Sequence, residues 1–288
     1  GGLQLIYLPT KYRPSDNRSE TLVNPPIVVP RPAATVILAR DTSDSIEVFM
    51  MQRTTEVAFA KGMHVFPGGG LDPTDHHDEI ASLCVGLTDD LASNTLGIEK
   101  GGLAYWIAAI RECFEEAGVL LARPTAEREL IRFNTDVALQ GRFNVARHAV
   151  HDGKLSLIDL CAQENLRLVT DNIHYVSHWI TPLGEPRRFD TRFFVARAPE
   201  GQEPLHDDSE TIASLWVSPA DALQRQESGD LAMMPPTIRN LEFLLPHATT
   251  NDALAAAKRI TPIVNALRLP IMSPTRPPIA MSAARVMR

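Results

Sequence analysis

Residues 111–118 read Arg111-Glu112-Cys113-Phe114-Glu115-Glu116-Ala117-Gly118, with three carboxylates inside two helical turns. Upstream and within this stretch, Trp106, Ile107, Ile110, Phe114 and Ala117 recur at mostly three- and four-residue steps. That spacing predicts an amphipathic helix from about 103 to 117, with Gly118 as its stop. At 100° per residue, Glu115 and Glu116 fall about 60° and 40° to either side of Glu112, so the three carboxylates share one arc of about 100°. Like charges at such spacings destabilise a helix by roughly 0.2–0.5 kcal/mol each, and anions in a last turn oppose the macrodipole by roughly 0.3–1 kcal/mol more. Arg111 offsets part of this through Glu115. A hard divalent cation held by carboxylate oxygens would reverse the sign of the whole cluster, which makes Mg²⁺ or Mn²⁺ the expected ligand. A solvated acidic face is the alternative that the helix alone leaves open.

Phe66-Pro67-Gly68-Gly69-Gly70 lies upstream, a turn-like stretch in which glycines let backbone approach a ligand or metal closely. Together the two pieces resemble the Nudix box, a Gly-rich turn followed by Gly-x5-Glu-x7-Arg-Glu-apolar-x-Glu-Glu-x-Gly-apolar. Arg111, Glu112, Glu115, Glu116, Gly118 and Val119 occupy the fixed positions of its second half, with Cys113 at the apolar one. The first half departs from the pattern. Asp75 stands where the box has Glu, and 35 residues separate it from Arg111 where seven are usual, an insertion of 28. Loop closure entropy grows slowly with length, so such an insertion is tolerable if its ends stay in place. In this the chain resembles the Nudix hydrolases with a long insertion in the box, the mammalian peroxisomal coenzyme A diphosphatase-like subgroup.

The resemblance implies a Nudix-type α/β/α sandwich around a mixed sheet, with extra helices inserted. It also implies metal held by Glu112, Glu115 and Glu116 with a carbonyl of Gly68 or Gly69, and box support from Arg111, Asp75 and Gly118. Asp75, Asp78 and Glu79 are all candidates for the acid that pairs with Arg111. Relatives place a further catalytic or metal-binding Glu in a later loop, where Glu210 of Asp207-Asp208-Ser209-Glu210 is the candidate; either Glu210 or Glu115 would take the proton from water. Residues 53–69 resemble the coenzyme A signature Arg-Ser-x3-Arg-x3-Gly-x3-Phe-Pro-Gly-Gly. Arg53, Gly62 and 66–69 fit, and Thr54 replaces Ser, but Ala58 stands where the second Arg belongs. Lys61 or His64 is a candidate substitute cation. Arg53, Lys61, Gly68 and Gly69 are therefore the expected substrate contacts. The expected activity is metal-dependent hydrolysis of a nucleoside diphosphate linked to another moiety, foremost coenzyme A or acyl-CoA. ADP-ribose, NADH or a nucleotide sugar is the alternative, and a non-catalytic nucleotide-binding module is the reading from another class.

Composition bounds these readings. With 288 residues, 44% of them hydrophobic, the chain can bury a sizeable core. Its formal net charge of −7, without a Lys/Arg-rich run, argues against an extended nucleic-acid footprint. Cys84, Cys113 and Cys161 form no CxxC pair and are odd in number, which points to reduced thiols in the cytoplasm or another reducing compartment. No apolar run approaches the roughly 18 residues of a membrane span. A homodimer is an expectation carried by the family resemblance.

Along the chain, residues 1–27 read as a polar, proline-containing arm and 28–245 as the hydrolase domain. The domain includes the insertion at about 76–102, with a short helix expected around 80–91, and a helical cap at about 126–170, with helices over 126–150 and 155–167. Residues 246–288 read as a C-terminal helix and peripheral tail. Strands are expected at 33–39 and 46–52, joined as a hairpin through Asp41-Thr42-Ser43-Asp44, and at 176–180, 192–198 and 214–217. Trp179 and Trp216 read as core residues.

Overall fold

The computed structural model describes residues 28–54, 60, 62–134, 136–204 and 211–260, and the backbone of 264–266. The expected hairpin opens the fold: β1 (Arg31–Asp41) and β2 (Ile46–Arg53) pair antiparallel, with Ala39 opposite Val48. Thr42 closes the turn, its Oγ1 accepting from the Asp44 and Ser45 N–H groups. Two short strands follow, β3 (His64–Val65) on β2 and β4 (Gly68–Gly70) on β1. The glycine run is thus a strand, with Thr35 opposite Gly68 and Ala33 opposite Gly70.

A 3-10 turn (Pro73–His76) leads into the expected insertion, which contains helix α1 (Asp78–Ser82), strand β5 (Cys84–Val85) and helix α2 (Asp89–Leu96). Helix α3 (Leu103–Ala117) comes next, followed by β6 (Ala122–Pro124). Among the described residues of 126–136 there is no helix. α4 starts only at Val137 and runs to His151, because Asp136 caps it there, accepting from the Ala138 N–H at 2.7 Å. The segment expected as one helix over 155–167 divides into α5 (Leu157–Gln163) and β7 (Leu166–Val169). Strand pairing decides the change: β7 is the middle of a small sheet ordered β5–β7–β6, a layer local pattern does not announce.

The main sheet is completed by β8 (Ile173–Ile180), β9 (Phe189–Arg197) and β10 (Thr211–Val217), then, after helices α6 (Pro219–Glu227), α7 (Pro235–Leu244) and α8 (Thr250–Ala257), by β11 (Val264–Ala266). Its order is β10–β2–β1–β9–β8–β11, with β1 parallel to β9 and β8 antiparallel to it. Both faces are covered. Ala34, Val36, Leu38, Phe49 and Phe194 pack with α3, α4 and α5, whereas Ile37, Val48, Met50 and Val195 pack with α6, α7 and α8. The result is the expected α/β/α sandwich around a mixed sheet. Among the described residues no helix is long and apolar enough to cross a membrane.

Candidate active site

Helix α3 is buried along Trp106, Ile107, Ile110, Cys113, Phe114 and Ala117, which turns the arc holding Glu112, Glu115 and Glu116 toward the glycine strand β4. Its two ends are fixed by the added elements. At the N-terminus Gly102 offers no side-chain cap, and Asp89 and Ser93 of α2 serve instead: Asp89 accepts from the Gly101 and Leu103 N–H groups, and Ser93 Oγ from that of Gly102, each at 2.9 Å. Gly102 approaches α2 so closely that a Cβ would lie 2.3 Å from the Ser93 nitrogen. At the other end Gly118 takes the left-handed conformation, φ 68°, and Arg147 of α4 donates to the Glu115 and Glu116 carbonyls at 2.9 Å each.

Arg111 uses all five of its N–H donors. Nε and Nη2 grip the two oxygens of Asp75 at 3.0 Å each, Nη2 also reaches the Gly70 carbonyl at 2.8 Å, and Nη1 contacts Glu112 at 2.9 Å and Glu115 at 3.2 Å. Of the three acids open to Arg111, the one engaged is Asp75, which is buried and also accepts from the Asp72 N–H at 2.8 Å. Against Arg111 stand Asp75, Glu112 and Glu115. Glu116 faces Arg53 Nη1 at 3.9 Å and accepts from the Gly68 N–H at 2.8 Å. Among these described contacts, four carboxylates share two guanidiniums. Burial pushes the Glu112 carboxyl up to about 7, Arg111 opposing and Glu115 and Asp75 adding to the rise.

The glycine strand closes on this cluster. A Cβ on Gly69 would sit 2.6 Å from the Glu112 carboxylate, and one on Gly68 2.5 Å from the Ala34 carbonyl oxygen. These glycines are required by close approach. Among the described residues no three acidic, His or Cys side chains already converge on one point as a formed metal cage would. Glu112 and Glu115 are instead turned to Arg111, and Glu116 to Gly68 and Arg53. The donor set nevertheless fits a hard divalent cation in kind: all oxygen, clustered, and carrying a buried carboxylate whose ionisation the surroundings oppose.

A cleft of about 510 Å³ opens from this cluster across the sheet, and Glu112, Glu115, Glu116, Arg53 and the three glycines line its acidic end. The far end is lined by Trp179, Phe189, Phe193, Met234 and Pro236, with Arg187 at the rim. Trp179 packs against the core cluster, as its strand pattern suggests, and also lines the cleft; it is half-buried and its Nε1 donates to Ser177 Oγ at 3.0 Å. Trp216 packs inward, against Phe49, with Arg40 over its ring at 4.0 Å. Lys61 and Glu210, together with Ala58 and segments 1–27 and 270–288, lie outside the described residues. His64 faces away from the cleft and is buried, which lowers its pKa, so it supplies no cation there. His151, the last residue of α4, also lines the cleft, and no sequence signal marked it. Trp179, Phe189 and Phe193 sit at alternating positions of β8 and β9, so the sequence could place each on a face but not identify that face as a cleft.

Residues 88–244 match the family described as the NUDT19 Nudix domain. The match begins downstream of the glycine strand, so the meeting of that strand with α3 is an independent geometric observation. The Homo sapiens protein named acyl-coenzyme A diphosphatase NUDT19 is 28% identical over 257 residues, covering 77% of this chain and 68% of that protein. The Gallus gallus protein of the same name is 29% identical over 245 residues, covering 72% and 63%. The chain therefore spans about two thirds of the length of these relatives. Among solved structures, a NUDIX hydrolase from Alicyclobacillus acidocaldarius superposes with a TM-score of 0.64 at 28% identity, over 79% of this chain and 96% of that one.

Proposed function

The chain belongs to the NUDT19 Nudix domain family, and from that premise we propose that it hydrolyses the diphosphate bond of coenzyme A or an acyl-coenzyme A, releasing a 4′-phosphopantetheine and adenosine 3′,5′-bisphosphate. The observation that carries the proposal is the meeting of Glu112, Glu115 and Glu116 with the glycine strand at one end of a cleft long enough for a nucleotide. The substrate choice rests on the names of the human and chicken relatives.

Glu112 and Glu116, helped by Glu115 and a carbonyl of Gly68 or Gly69, would hold Mg²⁺ or Mn²⁺. When bound, the cation neutralises diphosphate oxygens that otherwise repel a nucleophile and makes water more acidic. The chain's own residues do the rest. To hold the cation Glu116 would turn from Gly68, and the Gly68 N–H would then face phosphate oxygens beside Arg53. Arg111, fixed by Asp75, keeps Glu112 and Glu115 from turning to solvent. Glu115 has the longest of the carboxylate contacts to Arg111, 3.2 Å, and takes the proton from the attacking water. The new P–O bond forms in line with the P–O bond that breaks, and the leaving phosphate keeps the bridging oxygen.

The test is product analysis by mass spectrometry for wild type and Glu116→Gln, with Mg²⁺ or Mn²⁺ and a pool of coenzyme A, acetyl-CoA, ADP-ribose, NADH and UDP-glucose. Adenosine 3′,5′-bisphosphate is expected from wild type, and at least about a hundredfold less from the variant, which loses a cation ligand. Consumption of a different pool member would overturn the substrate. Nucleotide binding without turnover by both proteins would overturn the hydrolase reading.

A further inference from the structure

We propose that the aromatic end of the cleft holds the 3′-phosphoadenosine arm of coenzyme A, with the Arg187 guanidinium on the 3′-phosphate. The proposal rests on the coenzyme A diphosphatase reading above. Gly70, Ala33, Thr191 and Trp179 are register partners across β4, β1, β9 and β8, so the cleft floor crosses four adjacent strands from the acidic end to Trp179. At about 4.8 Å between strands, that path is about 14 Å long. The carboxylate side chains and the diphosphate occupy its first several ångströms.

Two arms compete for the remainder. The adenine ring begins about six bonds from the nearer phosphorus, or about 7 Å extended, whereas the coenzyme A thiol is about thirteen bonds from its phosphorus, about 15 Å at roughly 3.5 Å per three bonds. Trp179 lies at base distance, short of any thioester. Chemistry decides the same way. Pantetheine is a string of amides and a hydroxyl that need hydrogen-bond partners, while Trp179, Phe189, Phe193 and Met234 present flat or apolar surface suited to the two faces of a purine.

The charge at the rim completes the match. Arg188 is committed to the fold, Nε donating to the Thr181 carbonyl at 2.9 Å and Nη1 to that of Val28 at 2.7 Å. Its neighbour Arg187 is exposed, lines the cleft beside Phe189, and has no hydrogen bond or ion pair with any described residue. The coenzyme A signature lacks its second arginine, Ala58 standing in that place. Arg187 supplies a phosphate clamp from a different loop, the turn between β8 and β9.

The test compares kcat/KM for coenzyme A and for 3′-dephospho-coenzyme A, with Mn²⁺, in the full chain and in Arg187→Gln, Arg187→Lys and Trp179→Leu. Wild type is expected to prefer coenzyme A; Arg187→Gln shrinks that preference about tenfold, chiefly through KM, and Arg187→Lys restores part of it. Trp179→Leu weakens both substrates and leaves their ratio in place. Equal losses on both substrates in Arg187→Gln, no loss on either, or a wild type blind to the 3′-phosphate would each overturn the proposal. So would a Trp179→Leu variant that loses nothing on either substrate. A wild type inert to both substrates would overturn the diphosphatase reading itself, and this inference with it.

Discussion

Glu112 sits in surroundings that oppose its charged form. Its carboxyl is raised from 4.5 to about 7, first by burial and then by the anions beside it, so the fold prefers it protonated. A carboxyl raised in the folded state adds no strain below its ordinary value, loses stability progressively as pH rises from there to its folded value, and carries the full penalty above it. In chelator-treated protein, Glu112→Gln should therefore be more stable than wild type above about pH 7, by on the order of 1–3 kcal/mol, and the gap should close as pH falls toward 4.5. Urea unfolding midpoints across that range would check it. The same variant should lose turnover, as expected where a site keeps destabilising charge for function.

At the scale of elements, α3 is clamped at both ends by segments that a minimal box would not include. Asp89 and Ser93 from the insertion satisfy its first amides, and Arg147 from α4 its last carbonyls. The insertion thus positions the carboxylate helix, and its ends stay put because they are bonded to that helix. Arg147 is 4% exposed and lies where a cation opposes the macrodipole's negative end as well as the carboxylate cluster. Arg147→Met should cost about 3 kcal/mol in chemical unfolding, and Arg147→Lys should recover little of it, since one ammonium does not reproduce the fork to two carbonyls. Equal stability of Lys variant and wild type would remove the bidentate argument.

Over the whole molecule, the cleft joins the two faces of the sandwich: its carboxylates stand on α3 on one side, and Met234 and Pro236 come from the start of α7 on the other. Its geometry therefore depends on the complete sheet. The three thiols offer a global readout of that integrity. Burial pushes Cys84 and Cys161 up to about 12 and Cys113 still higher. At pH 8 roughly one thiol in ten thousand would be thiolate at a pKa of 12, so the buried Cys113 and Cys161 should react with a disulfide reagent only on unfolding in denaturant, and the half-buried Cys84 slowly at most before it. Fast native-state labelling of Cys113 or Cys161 would contradict their burial.

Helix α3, its stop at Gly118, the β1–β2 hairpin and the metal-friendly arc of Glu112, Glu115 and Glu116 are local in origin. Period, charge spacing and turn residues fix them, so the sequence alone determined them. Which acid pairs with Arg111, that the glycines form a strand against β1, that residues 166–169 join a second sheet, and that Trp179 and Arg187 face a cleft depend on partners 33 to more than 100 residues away in the chain. No local period encodes such partners. Only packing the sheet between its two helical layers brought them together.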